Sequence, residues 1–254
     1  MIVDTHCHLY YDELNKNLED TISKSEKAGI EKIIVPAVDL ETSIQVTEMS
    51  EIYPMLYAVI GIHPCDIKDS NADVFEKLIP LFENKKVIGI GETGLDYYWD
   101  KSETEKQKEF FIHQLRLGKK YNLPVVVHSR DSVADAIKII KSEYSETLKI
   151  QMHCFSGNIE ETNQLLELEN IYFSFCGNVT FKNFHDFDIV RLIPVDRLLF
   201  ETDSPFLTPM PFRGKTNFPY HIIHTINKIS TIKNTPENEL IDTVRENTKR
   251  FFGI

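Results

Sequence analysis

Eight short β-rich runs alternating with helical segments, with ionisable residues at the ends of six of the runs, predict an α/β protein of the (β/α)8 TIM-barrel class. The runs cover residues 2–4, 32–38, 56–62, 87–90, 125–128, 150–153, 171–175 and 198–201. Strict alternation implies parallel strands, because parallel neighbours need a crossover connection and a helix supplies it. Eight such units close naturally into a barrel. An open doubly wound sheet is the alternative, and the absence of a glycine-rich phosphate loop after the first run weighs against it.

Each element has a local reason. The first run ends in Asp4 and is followed at once by His6 and His8. Residues 17–28 have helical periodicity and stop at Gly29. Residues 104–121 do the same and are closed by Asn122-Leu123-Pro124, a stop signal. Residues 132–141 and 159–168 repeat the pattern, and 219–229 and 236–252 read as helices that cover the barrel. No linker, low-complexity tract or repeat by residue identity interrupts the chain. Residues 1–254 are therefore expected to form a single domain.

Composition narrows the class further. Hydrophobic residues at 42% and charged residues at 26% are ordinary for a globular chain. No apolar run approaches the roughly 20 residues that span a bilayer, and Asp4 and His6 interrupt any leader-like start. A cytoplasmic protein without a membrane partner is expected. Cys7, Cys65, Cys154 and Cys176 show no CxxC spacing and read as reduced thiols filling small apolar spaces. The net charge of −11 argues against coating nucleic acid by bulk electrostatics. A nuclease stays open, because dications held at an acidic site neutralise phosphate locally.

The chemistry gathers at the C-terminal ends of the strands, the active-site face of a barrel. His6 and His8 are two apart, so in extended chain both imidazoles face one side. Strand three runs into Gly61-Ile62-His63-Pro64, strand four into Glu92 and Asp96, strand five into His128-Ser129-Arg130, strand six into His153 and strand eight into Glu201-Thr202-Asp203. Groups of this kind cost several kcal/mol each if buried without partners. A shared metal centre satisfies them together. Four histidines and two carboxylates exceed the needs of one tetrahedral ion, so two divalent ions are expected, with Mg, Mn or Zn compatible with the donors. The assignment is His6, His8, Glu92 and Asp203 to one ion, and Glu92, His128 and His153 to the other, with Glu92 shared. Asp203 doubles as the proton acceptor, although Ser204-Pro205 after it would also suit a helix cap.

The segments DTHCHL, GIHP, GETGLDYY, VVHSRDS, MHCFSG and ETDSPFL, with PFRGKTNFP, resemble the motif series of the TatD family, within the amidohydrolase-like barrels. The match runs in order from Asp4 to Pro219. It implies the same barrel, the metal ligands named above, and hydrolysis of DNA phosphodiesters, often from 3′ to 5′ as an exonuclease. It also implies substrate contacts at His63, Arg130 and Arg213, and DNA with single strands or free ends as partner, with no obligatory protein partner. Two departures bear on substrate preference: Phe218 follows Asn217 where the family often has a carboxylate, and Cys65 replaces a second histidine after His63-Pro64.

Other residues have ordinary readings beside functional ones. Tyr97-Tyr98-Trp99 would stack bases or pack a loop. Arg213 lies in a Pro- and Gly-rich loop suited to phosphate. Glu201 is either support beneath a histidine or a core carboxylate, and His113, His185, His221 and His224 read as structural or surface. A rival function is an amide or ester hydrolase on the same metals, including D-aminoacyl-tRNA deacylation. A non-enzymatic binding protein is the other rival, disfavoured by the full ligand set.

Overall fold

A computed structural model of the chain describes residues 1–68, 70–99 and 101–254. Its strands are β1 (Ile2–Asp4), β2 (Ile30–Pro36), β3 (Leu56–Ile60), β4 (Val87–Asp96), β5 (Val125–Arg130), β6 (Ile150–Met152), β7 (Ile171–Phe175) and β8 (Leu198–Phe200). The helices are α1 (Asp12–Asn15), α2 (Leu18–Lys27), α3 (Leu40–Ile52), α4 (Asp73–Leu78), α5 (Thr104–Tyr121), α6 (Val133–Glu143), α7 (Ile159–Leu166), α8 (Phe187–Leu192), α9 (Ile222–Lys233) and α10 (Glu237–Phe252). The strands follow sequence order, β1 to β8, in one eight-stranded sheet. That order, with parallel pairing and a helix between successive strands, is the (β/α)8 topology. No helix among the described residues is long and apolar enough to cross a membrane.

The chain divides into two compact units, Met1–Val35 with Phe173–Ile254, and Pro36–Tyr172. In the first, both ends of the chain share a core that includes Ile33, Phe173, Phe200, Ile226 and Phe251, all fully or almost fully buried. The end of β1 is tied to the end of β8 there. Thr5 N donates to Phe200 O at 2.9 Å, and the Asp4 carboxylate accepts from the Thr202 amide at 3.0 Å and its hydroxyl at 2.6 Å. Burial pushes Asp4 up to about 8, against the hydrogen bonds from Thr202 and His6 that favour its charge.

In the second unit β3 to β6 pair in order over a core of Val59, Ile60, Ile90, Val126 and Phe111. β4 is buried over its whole length and runs six residues past its expected end at residue 90. Its glycines are the reason. Gly91 and Gly94 have φ of +144° and +131° and come so close to β5 that a side chain would not fit. A Cβ at Gly91 would lie 2.7 Å from Val126 O, and one at Gly94 would collide with the His128 carbonyl. The capping boxes Asp39/Thr42 and Asn158/Glu161 start α3 and α7, and Asn122 at φ +51° stops α5 before Pro124.

Helix α5 does more than pack. Gln107 and Gln114 lie two turns apart on its buried face and act as backbone partners for strand ends. Gln114 accepts from Ile62 N at 2.8 Å and donates to Ile62 O at 3.0 Å, while Gln107 accepts from Asp96 N at 2.9 Å and donates to Asp96 O at 3.0 Å. The loop that begins at His63 and the end of β4 are thus set by one helix face.

Candidate metal centre

Beyond β1 the chain bends at Thr5 and runs beside the segment that follows β8, with Cys7 bridged in parallel to Ser204. Asp203 N donates to His6 O at 2.9 Å and His8 N to Ser204 O at 2.8 Å. Asp203 is thereby set between two histidines whose side chains share a face. The Nε2 atoms of His6 and His8 are 3.2 Å apart, and Asp203 Oδ1 lies 3.4 Å from His8 Nε2 and 3.8 Å from His6 Nε2. All three residues are buried. Donors held roughly 2.0–2.2 Å from one divalent ion would be about 3–3.6 Å apart, so this group fits a metal ion. His8 Nδ1 meets the Tyr10 hydroxyl at 3.1 Å, which holds the ring with Nε2 toward Asp203.

The loop that carries Asp203 is strained and clamped. Asp203 has φ +56°, a left-handed conformation that Asp tolerates better than most residues. Buried Asn217 donates to Thr202 O at 2.9 Å and Phe206 O at 2.7 Å, closing the loop from both sides. Glu201 is fully buried and accepts from the Ser174 hydroxyl at 2.8 Å and the Cys176 thiol at 3.0 Å. Cys176 therefore departs from the expected role of simple filler, since its S–H orients a carboxylate. None of the four cysteines is in a disulfide.

A second group sits at the ends of β3 to β6. His128 is opposite Gly94, and its ring lies between two β4 carboxylates that share a strand face. Nδ1 is 3.0 Å from Glu92 Oε1, and Nε2 is 2.9 Å from Asp96 Oδ2. His153 Nε2 and His63 Nε2 approach the same Glu92 oxygen at 3.7 and 3.6 Å. His128 and His153 around one buried carboxylate oxygen again fit a cation, with His63 beside them. His63 is set apart by its tautomer: Nδ1 accepts the Cys65 amide at 3.2 Å, which leaves the proton on Nε2. It is a hydrogen-bond donor into the site.

Of the substrate residues expected from sequence, His63 lies beside Glu92 and the two arginines lie at the surface. Arg130 ends β5, exposed, with its guanidinium 3.7 Å above the Tyr98 ring and 5.6 Å from Trp99. Tyr98 and Trp99 are 55% and 70% exposed, so they form an open aromatic face rather than loop packing. Arg213 is exposed and lies over Phe181 at 4.2 Å. His113 stacks on Phe75, and His221 and His224 meet Phe212, in keeping with structural roles. Sequence reading named Asp96 at the end of strand four and Asn217 in the PFRGKTNFP segment but gave neither a role; for Asp96 the signal was its spacing of four from Glu92 along one strand.

Electrostatics make the second group pH-dependent. Burial alone would lower His128, but the hydrogen bonds to Asp96 and Glu92 win and raise it to about 9. Asp96 moves the other way. Burial opposes its charge, yet His128 and the Trp99 and Tyr98 amides bring it down to about 2. Without metal, the His128 contribution to stability is fully present below pH 6.5 and is lost as the pH rises through about 9. The Asp96 contribution is present above pH 3.8 and is lost as the pH falls through about 2. Metal binding at His128 must displace a proton. Calorimetry at pH 7.5 in buffers of different ionisation heat should show about one proton released per ion bound here, with apparent affinity rising about tenfold per pH unit. Binding without proton release would show that His128 is not a ligand.

Parallel (β/α)8 topology with imidazoles and carboxylates at strand ends suits a metal-dependent enzyme. The TatD related DNase family model matches residues 3–253. The chain is 41% identical over 255 residues to the uncharacterized metal-dependent hydrolase YabD of Bacillus subtilis, covering 100% of both chains. It is 35% identical over 257 residues to the uncharacterized metal-dependent hydrolase YcfH of Escherichia coli K12, covering 100% of this chain and 96% of YcfH. The crystal structure of YjjV, a TatD homologue from Escherichia coli K12, superposes with a TM-score of 0.93 at 28% identity, covering 100% of this chain and 98% of YjjV. The chain belongs to the TatD family of metal-dependent hydrolases, and its fold class is the (β/α)8 barrel.

Proposed function

We propose that this chain is a deoxyribonuclease that hydrolyses DNA phosphodiesters from a free end, in the 3′-to-5′ direction. The observation that carries the reading is the Arg130–Tyr98–Trp99 face, two residues beyond the His128 imidazole. An open pair of aromatic rings with a cation suits a nucleobase and its phosphate, whereas a small neutral amide or ester has no use for it. His6, His8 and Asp203 would hold one divalent ion and Glu92, His128 and His153 a second. Ions there would supply positive charge to a phosphoryl group and acidify water.

The chain's own residues do the rest. Asp203 accepts a proton from the attacking water through the carboxylate that also faces His6 and His8. His63 donates a hydrogen bond from Nε2–H to a substrate oxygen, and Arg130 and Arg213 bind phosphate. The test is an activity panel under Mg²⁺, Mn²⁺ or Zn²⁺ with linear and circular single-stranded DNA, duplex DNA, RNA and aminoacyl-tRNA. Linear DNA should shorten progressively, a blocked 3′ end and a circle should resist, and chelation should abolish the reaction. Rapid nicking of circles would make the enzyme an endonuclease, and turnover of aminoacyl-tRNA alone would make it a deacylase.

A further inference from the structure

We propose that Asp96 is a positioning residue that serves two functions at once: it sets the imidazole of His128 toward the metal, and it holds the exposed Tyr98–Trp99 face in place. Its two oxygens are divided between these tasks. Oδ2 faces His128 Nε2 at 2.9 Å. Oδ1 accepts the amides of Tyr98 at 2.9 Å and Trp99 at 3.1 Å. The backbone of Asp96 is itself gripped by Gln107 through both its N–H and its C=O. The carboxylate is buried and cannot drift.

The first function follows from the imidazole's two nitrogens. A carboxylate oxygen is an acceptor only, so it takes the Nε2 proton and leaves the Nδ1 lone pair toward Glu92 and a metal ion. The second follows from the turn. Two successive amides bound to one oxygen fix the direction in which residues 98 and 99 leave β4. Tyr97 N, bonded to Arg130 O at 2.9 Å, fixes the turn to β5. Tyr98 is thereby brought under the Arg130 guanidinium.

Asp96→Asn separates the two functions. The amide oxygen must stay with the Tyr98 and Trp99 amides, since an NH2 group cannot accept from them. The NH2 group therefore faces His128 and donates to Nε2, which drives the imidazole proton onto Nδ1, where the metal should bind. Trp99 is the only tryptophan in the chain, so its emission reports on the face directly. That part which concerns nucleic acid rests on the proposed function; the metal part does not.

The experiment uses the full chain and three readouts: Zn²⁺ titration by calorimetry, Trp99 emission with acrylamide quenching, and binding of hexathymidylate in excess EDTA followed by Trp99 quenching. Asp96→Asn should lose roughly 10–100-fold in affinity for one of the two ions and leave the other unchanged. Its Trp99 emission and hexathymidylate affinity should match wild type, while its thermal midpoint without metal falls with the loss of the charged pair to His128. Asp96→Ala should show the same metal loss together with altered Trp99 quenching and weaker hexathymidylate binding. Wild-type metal affinity in Asp96→Asn overturns the first function, and unchanged Trp99 behaviour in folded Asp96→Ala overturns the second. Should Asp96→Ala not fold, Asp96→Asn decides: equal weakening of both ions means a merely structural role. A wild-type protein that ignores hexathymidylate would sink the nucleic-acid reading, while the metal and emission readouts still judge Asp96.

Discussion

Asp203→Asn is expected to fold, to bind metal at high metal concentration, and to turn over at least a hundredfold more slowly. Asparagine adopts the left-handed backbone that Asp203 has, at φ +56°, as easily as aspartate does. It keeps an oxygen between His6 and His8, where Oδ1 now lies 3.8 and 3.4 Å from their Nε2 atoms. The Asn217 side chain reaches only the backbone oxygens of Thr202 and Phe206, so the clamp survives the change. What goes is the negative charge and the basicity. Loss of a general base alone slows a reaction by roughly 10²–10⁴-fold, and weaker metal binding adds to that. Turnover measured across a metal titration, with circular dichroism as the check on folding, separates these effects. Near-wild-type turnover at saturating metal would place the base elsewhere, with Glu201 next in line because its carboxylate is buried two residues away.

Gly94→Ala should be among the most damaging single-methyl additions in the chain. The position has φ +131°, which L side chains rarely adopt, and its Cβ would collide with the His128 carbonyl and come within 3.2 Å of the His128 amide. Neither obstacle is a flexible side chain. Relief requires β4 and β5 to separate at the point where Glu92, His128 and Asp96 meet. We expect a loss of about 3–5 kcal/mol in chemical denaturation. Affinity for one ion should fall with it. Gly29→Ala is the control. Gly29 also has positive φ, +86°, but a Cβ there meets nothing within 4 Å, so only backbone strain of about 1–2 kcal/mol is expected. Equal losses in the two variants would show that the close approach of β4 to β5 carries no energy.

The sequence by itself determined the fold class and the roster of polar groups at the strand ends. Alternation of strand and helix is a local property, written in each segment's own periodicity, and it needs no knowledge of what packs against what. The pairing of faces is equally local. His6 and His8 are two apart in extended chain, and Glu92 and Asp96 are four apart along one strand, so each pair shares a side whatever lies opposite.

Only the tertiary structure decided which of these groups meet and by which atom. Asp203 joins His6 and His8 because its amide donates to His6 O across nearly two hundred residues of chain. Nothing near either residue encodes that register. His128 presents Nδ1 to Glu92 because Asp96 holds Nε2, and Asp96 reaches it because β4 runs on past residue 90 through glycines that let it lie against β5. His63 becomes a hydrogen-bond donor because a backbone amide occupies its other nitrogen. In every case a hydrogen bond shorter than about 3.3 Å makes the choice, and a contact that short depends on strand register and close backbone approach. Periodicity tells which face a residue is on, while the partner it finds there is settled only when distant strands pack.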